Sequence, residues 1–130
     1  PAAKEAIERF AKALGERAIA YVHRMDHTRR AGRPGNNEAM TARFDRLLAR
    51  LRPLLPRTAI ILAGGMTRER AEGLIDSGTI DLAAFGQPFI GNPDLVERLR
   101  NDWPLTVPDR ATFYGGGAEG YVDYPPYRAA

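Results

Sequence analysis

Three short apolar runs, AIAYVH (18–23), AIILAGG (59–65) and IDLAAFGQ (80–87), punctuate this chain, and no hairpin turn signal links any two of them. Short apolar runs with β-branched or aromatic residues read as buried strands. The segments between and around them carry helical periodicity instead. Ile7, Phe10, Ala11 and Leu14 share one face over residues 4–14, and Phe44, Leu47, Leu48 and Leu51 share one over 38–52. A third helix spans 68–76, with Thr67 as its N-cap and Gly78 just past its end. A fourth runs to about residue 101, with Asn92 and Pro93 as N-cap and first residue. The order α-β-α-β-α-β-α requires parallel strands joined by crossover helices. Three such strands alone leave both sheet edges open, so the pattern is that of a slice from a larger α/β structure.

Composition narrows the class further. The 130 residues are 44% hydrophobic and 27% charged, which fits one soluble globular unit or a piece of a larger one. No apolar run approaches the roughly 18 residues of a membrane helix, and the opening PAAKEAIERF lacks the apolar stretch of a signal peptide. Cysteine is absent, which excludes disulfides and cysteine–metal sites and points to a reducing, cytoplasmic setting. The net charge of +3 conceals an asymmetry: residues 1–58 carry 13 Lys/Arg against 6 Asp/Glu, and residues 59–130 carry 6 against 10. The arginines of the basic half lie largely opposite an apolar helix stripe, where solvated surface charge explains them. Neither nucleic acid nor membrane is an expected partner.

The chemistry-bearing positions cluster at strand ends. Gly64 and Gly65 follow the second run, and Gly86 and Gln87 follow the third. Glycine there lets backbone approach a ligand, and free N–H groups at a following helix start attract anions. In (β/α)₈ barrels the loops after the last two strands commonly hold phosphate, so two such ends in successive βα units read as a phosphate cradle. Tight βα turns are the plainer explanation of each glycine taken singly. The aperiodic stretch 24–37 is long for a loop in a compact domain and reads as site-related or mobile. His23 and His27 are the only histidines, and their spacing on a strand and loop does not match a zinc site. The lone serine, Ser77, sits at a helix end, so no serine–histidine–acid set is available. Asp94 suits an early-helix position, Glu97 suits solvent, and Trp103 suits packing. No Walker motif or dinucleotide-binding glycine fingerprint is present.

Near the end stands ATFYGGGAEGYVDYP (111–125), a glycine triplet among Phe113, Tyr114, Tyr121 and Tyr124. Together with AGG (63–65) and AFGQPFIGNPDLVERL (84–99), this stretch resembles the old yellow enzyme family, in its bacterial N-ethylmaleimide and xenobiotic reductase branch. The resemblance implies the C-terminal three βα units of a (β/α)₈ TIM barrel, with residues 1–130 forming one partial domain. It implies an FMN site in which Gly64, Gly65, Gly86 and Gln87 hold the phosphate and Phe113 lies beside the flavin. Tyr114 would face the substrate, an activated alkene, with NAD(P)H as reductant. The glycines would allow positive φ beside the cofactor, and Tyr121 and Tyr124 would anchor the tail.

Two departures from the family pattern qualify that expectation. The position of Gln87 is usually arginine, and losing its charge lowers phosphate affinity by about 1–3 kcal/mol. The family's substrate-binding histidine pair and proton-donating tyrosine belong upstream of these units, so no catalytic residue is expected in this chain. The isolated chain is accordingly expected not to reduce alkenes. Completion by an N-terminal complementing chain, a longer gene product, and a non-catalytic flavin-binding or structural remnant, with homo-oligomerisation as one way to cover its open strand edges, all stay open at this point.

Overall fold

A computed structural model describes residues 2–29 and 38–128. Residues 30–37 of the aperiodic stretch lie outside that range. The elements follow the order α1 (Ala2–Gly15), β1 (Tyr21–Met25), α2 (Glu38–Leu51), β2 (Ala59–Ala63), α3 (Arg68–Asp76), β3 (Leu82–Ala84), α4 (Gln87–Gly91) and α5 (Leu95–Asn101). Short 3-10 turns lie at His27–Arg29, Arg52–Leu54 and Arg110–Thr112. The chain divides into two compact units, Pro1–Ala84 and Phe85–Ala130.

In the first unit the strands form a parallel sheet in the order β1-β2-β3. Met25 lies opposite Ala63, and Ala63 opposite Ala84, so the three strands finish flush at one edge. The amphipathic stripes of the sequence build the core: Leu48, Leu51, Leu55, Ile60, Leu62 and Ile80 are buried. Arg52 secures the passage from α2 into β2. Its Nη1 pairs with Asp81 Oδ2 at 2.6 Å, and its Nη2 donates to the carbonyls of Leu55 and Thr58. Asp81 Oδ2 also accepts the Ile60 N–H at 2.7 Å. That N–H foremost, with Arg52, outweighs the opposing effect of burial and holds the Asp81 carboxyl below the usual aspartate value.

The expectation that the run 18–23 is a buried strand needs correction. Strand β1 starts at Tyr21, and its residues alternate exposed and half-buried. Period-2 alternation puts Tyr21, His23 and Met25 on one face, continued across the register by Ile61 and Leu82. Tyr21, Met25 and Leu82 are each more than half exposed. On the opposite face, Val22 and Ile60 line one cavity with Leu14 of α1 and Leu48 of α2. Phe10, expected on the buried stripe of α1, is likewise two-thirds exposed.

The second unit differs from expectation at its start. A single-turn helix, α4, occupies residues read as strand end and loop, with Pro88 in its first turn. Proline has its φ preset for that position. Asn92 is not the cap of α5; Asp94 occupies that place. The Asn92 side chain is buried and bonds both ways to one residue, accepting Thr106 N at 2.8 Å and donating to Thr106 O at 2.9 Å. It also donates to Pro88 O at 2.7 Å. A short amide that satisfies three backbone groups is worth more inside than at a helix end.

Arg98 is the hub of this unit. Its buried guanidinium donates to Asp94 Oδ1 at 2.7 Å, Pro104 O at 3.1 Å, Thr106 Oγ1 at 3.2 Å and Pro125 O at 3.0 Å. The tail returns to it: Tyr127 N donates to Asp94 Oδ2 at 2.7 Å, and the Tyr127 ring stacks 4.9 Å from Trp103. Burial works to raise the Asp94 pKa, but the Tyr127 N–H and the Arg98 guanidinium outweigh it, so the carboxyl lies below its usual value. Trp103 therefore packs, as expected.

Candidate functional site

Strand β2 ends at Ala63 and runs straight into Gly64 and Gly65, whose φ angles are +102° and +53°. Both lie in the region that L side chains rarely adopt. A Cβ on Gly64 would sit 2.2 Å from Asp26 O, because Asp26 continues the β1–β2 ladder and donates its N–H to Ala63 O at 2.8 Å. Gly64 is thus fixed by both conformation and contact. Beyond the turn, Thr67 Oγ1 caps α3 by accepting Arg70 N at 3.3 Å. The Glu69 carboxyl is held below its usual value chiefly by its own backbone N–H and then by the Thr67 hydroxyl. The start of α3 already has its anion, so the glycine turn is what remains for an outside one.

A buried charge cluster backs this turn. Asp26 Oδ1 accepts Thr28 N at 2.8 Å and Thr28 Oγ1 at 2.6 Å, while its Oδ2 pairs with Arg70 Nη2 at 3.0 Å. The same nitrogen pairs with Asp45 Oδ1 at 3.0 Å. The Asp26 side chain is fully buried and that of Arg70 nearly so. Sequence reasoning missed the cluster. Its only sequence signal is an acid placed directly after a strand, since partners 44 residues apart follow no local period.

In the second unit, Gly86 precedes α4 with φ −90°. A Cβ there would meet nothing within 4 Å. Neither backbone nor packing within the chain demands glycine at 86, and the space above it is open. Gln87 is exposed as the first residue of α4. Phe113 and Tyr114 follow the 3-10 turn Arg110–Thr112, which Asp109 caps by accepting Ala111 N at 2.9 Å. Their rings meet edge to face, 6.2 Å apart, with Phe113 half-buried and Tyr114 97% exposed.

Of the glycine triplet only Gly116 takes a positive φ, +98°. Tyr124 fulfils its anchoring role, its hydroxyl accepting Asp109 N at 2.8 Å. Tyr121 does not, being 83% exposed; Tyr127 is the second anchor. The six expected site residues therefore divide between the units, Gly64 and Gly65 in one and Gly86, Gln87, Phe113 and Tyr114 in the other.

His23 and His27 are exposed, and no group of metal-ligating side chains occurs among the described residues. No helix of the described residues is long and apolar enough to cross a membrane. A cavity of about 150 Å³ lies between α1, β1 and α2, lined by Ile7, Leu14, Val22 and Leu48 among others. It contains none of the six expected site residues.

No protein-family model matches the chain. Individual proteins do. It is 55% identical over 49 residues to enoate reductase 1 of Kluyveromyces lactis, covering 38% of this chain and 12% of that one. It is 34% identical over 118 residues to putative 12-oxophytodienoate reductase 12 of Oryza sativa, covering 89% of this chain and 29% of that one. Among solved structures, morphinone reductase in complex with tetrahydroNAD superposes with a TM-score of 0.78 at 33% identity, covering 96% of this chain and 31% of that one. The old yellow enzyme of Trypanosoma cruzi gives 0.75 at 31% identity, covering 96% and 30%. The chain thus spans less than a third of the length of each of these relatives. Its parallel βα units are part of the (β/α)₈ barrel of those structures. The chain belongs to the old yellow enzyme family.

Proposed function

We propose that the chain is the C-terminal segment of an FMN-dependent NAD(P)H:alkene oxidoreductase, supplying the phosphate end of the FMN site and a substrate-facing tyrosine, Tyr114. The observation that carries this reading is the Gly64–Gly65 turn, where two successive positive φ angles follow the flush edge of a parallel sheet. A phosphate oxygen fits such a place, because backbone N–H groups are its donors and no Cβ stands in the way. The open space above Gly86 adds a second approach of the same kind. Gln87 offers its backbone N–H and a neutral amide, and no charge.

Bound FMN would supply hydride chemistry between NAD(P)H and an activated alkene; this chain's own residues bind and orient. Phe113 is assigned to the flavin edge. The near-complete exposure of Tyr114 suits a ring whose contact is a small molecule. The bare face of Tyr21, Met25 and Leu82 supports completion of the barrel by further polypeptide, either an N-terminal complementing segment or a second copy. The same bare face also fits a non-catalytic flavin-binding or structural remnant, and flavin binding separates a cofactor-binding chain from a merely structural one.

Calorimetric titration of the purified chain with FMN and with riboflavin, which lacks the phosphate, tests the reading. FMN is expected to bind at least tenfold tighter. Gln87→Arg should tighten FMN by a further 1–3 kcal/mol, roughly, and leave riboflavin unchanged. Equal affinities, or no binding of either, would overturn the phosphate assignment and leave the structural remnant.

A further inference from the structure

We propose that Asp26 and Arg70 are positioning residues for the Gly64–Gly65 turn, their buried ion pair holding the turn's backbone in its phosphate-binding form. This rests on the phosphate reading of that turn. A glycine pair has more freedom to lose than any other dipeptide, so amides placed on it bind an anion well only if something else orders them. The structure supplies a closed circuit that does so. The Asp26 backbone touches the turn at two points: its N–H donates to Ala63 O at 2.8 Å, and its carbonyl oxygen lies where a Cβ of Gly64 would be. Its carboxylate is gripped by Thr28 on its own loop and by Arg70 from the first turn of α3.

The circuit crosses from Asp26 to Ala63 by that hydrogen bond, follows the chain through Gly64 and the Thr67 cap to Arg70, and returns to Asp26 through the ion pair. Asp45 of α2 holds the Arg70 nitrogen from a third side. If Asp26 moves, Gly64 moves with it, because only backbone separates the contact from the turn. Burying a carboxylate this completely is unfavourable unless it is paired, and an apolar pair of similar shape often serves stability as well. Stability alone therefore does not account for a charge pair at this place. Fixing the geometry of an adjacent turn does account for it.

The test compares Asp26→Asn, Arg70→Met, Arg70→Lys, Thr28→Ala and Asp45→Asn by thermal melting and by the ratio of riboflavin to FMN dissociation constants. Asp26→Asn and Arg70→Met are expected to lower that ratio at least tenfold. Arg70→Lys, which keeps a cation against Asp26, should restore it to within about threefold of wild type. Asp45→Asn removes the second carboxylate from the Arg70 nitrogen while keeping the Asp26–Arg70 pair, and should lower the ratio twofold to fivefold. Variants that lose thermal stability while keeping the wild-type ratio would overturn the positioning role and leave the phosphate site intact. A wild-type chain that does not prefer FMN would instead overturn the phosphate reading, and the positioning role with it. Should the pair variants fail to fold, Thr28→Ala decides, since it removes one bond to Asp26 and keeps the ion pair. A twofold to fivefold fall in the ratio is then expected, and an unchanged ratio refutes the proposal.

Discussion

Replacing Gly64 by alanine tests a place where backbone conformation and contact both oppose a side chain. At φ +102° a Cβ meets Asp26 O at 2.2 Å and Asp26 C and N at 2.9 Å, all backbone atoms that no rotamer can clear. Forcing an L side chain into this region costs about 1–2 kcal/mol. Relieving the overlap requires moving Asp26 and its N–H bond to Ala63 O, which adds about 0.5–1.5 kcal/mol. Together these come to about 1.5–3.5 kcal/mol, and any slippage of the Asp26–Arg70 pair would add more. Against a total of roughly 5–15 kcal/mol, that is a large share. Gly86→Ala is the matched control: its φ is ordinary, a Cβ meets nothing within 4 Å, and the lost unfolded-state entropy should stabilise by about 0.4–1 kcal/mol. Urea denaturation followed by far-ultraviolet circular dichroism measures both. A Gly64→Ala unfolding free energy within about 1 kcal/mol of that of Gly86→Ala would refute the packing argument, because the overlap with Asp26 could not then exist.

The second unit gives two further expectations, both read through Trp103, the only tryptophan. Arg98→Leu leaves the carbonyls of Pro104 and Pro125 and the Thr106 hydroxyl without their donor, and should cost about 3–5 kcal/mol; a loss under 1 kcal/mol, roughly, in denaturation followed by Trp103 fluorescence would show that the hub is dispensable. Acid should release the tail. The folded pKa of Asp94 is depressed, so its contribution is present above the ordinary aspartate value of about 3.9 and is lost as pH falls through the folded one. Trp103 emission should then be flat from neutral pH to about 5 and change below about 4 as Tyr127 undocks, a transition that Asp94→Asn removes. An unchanged signal down to about pH 2 would exclude Asp94 as the latch.

Legibility followed the range of the physics involved. The Gly64–Gly65 turn, the Thr67 cap and the α3 span could be read because strand, glycine pair, cap and helix follow one another within a few residues. The Asp26–Arg70–Asp45 cluster could not, since its members are set together by a sheet and two helices and have no common period. Arg98 misleads for a related reason. It stands in the last turn of α5, where an arginine complements the helix dipole at the surface. It is buried instead because residues 104 to 127 fold back over it. Asn92 shows that a local signal can be ambiguous in kind: Asn-Pro before a helix looks the same whether the amide caps the helix or turns inward to Thr106.

The remaining discrepancies point one way. Tyr21, Phe10 and Leu82 read as buried and are exposed, and Gly86 is glycine where nothing in the chain crowds it. A hydrophobic pattern reports the surroundings a residue has in the complete protein, whereas exposure within one chain counts only that chain's own atoms. The two agree for Leu48, Ile60 and Leu62, whose neighbours are all present. They part at β1, at the β3 edge and at Gly86. On the proposed reading, these are the faces that further strands of the barrel and the flavin would cover.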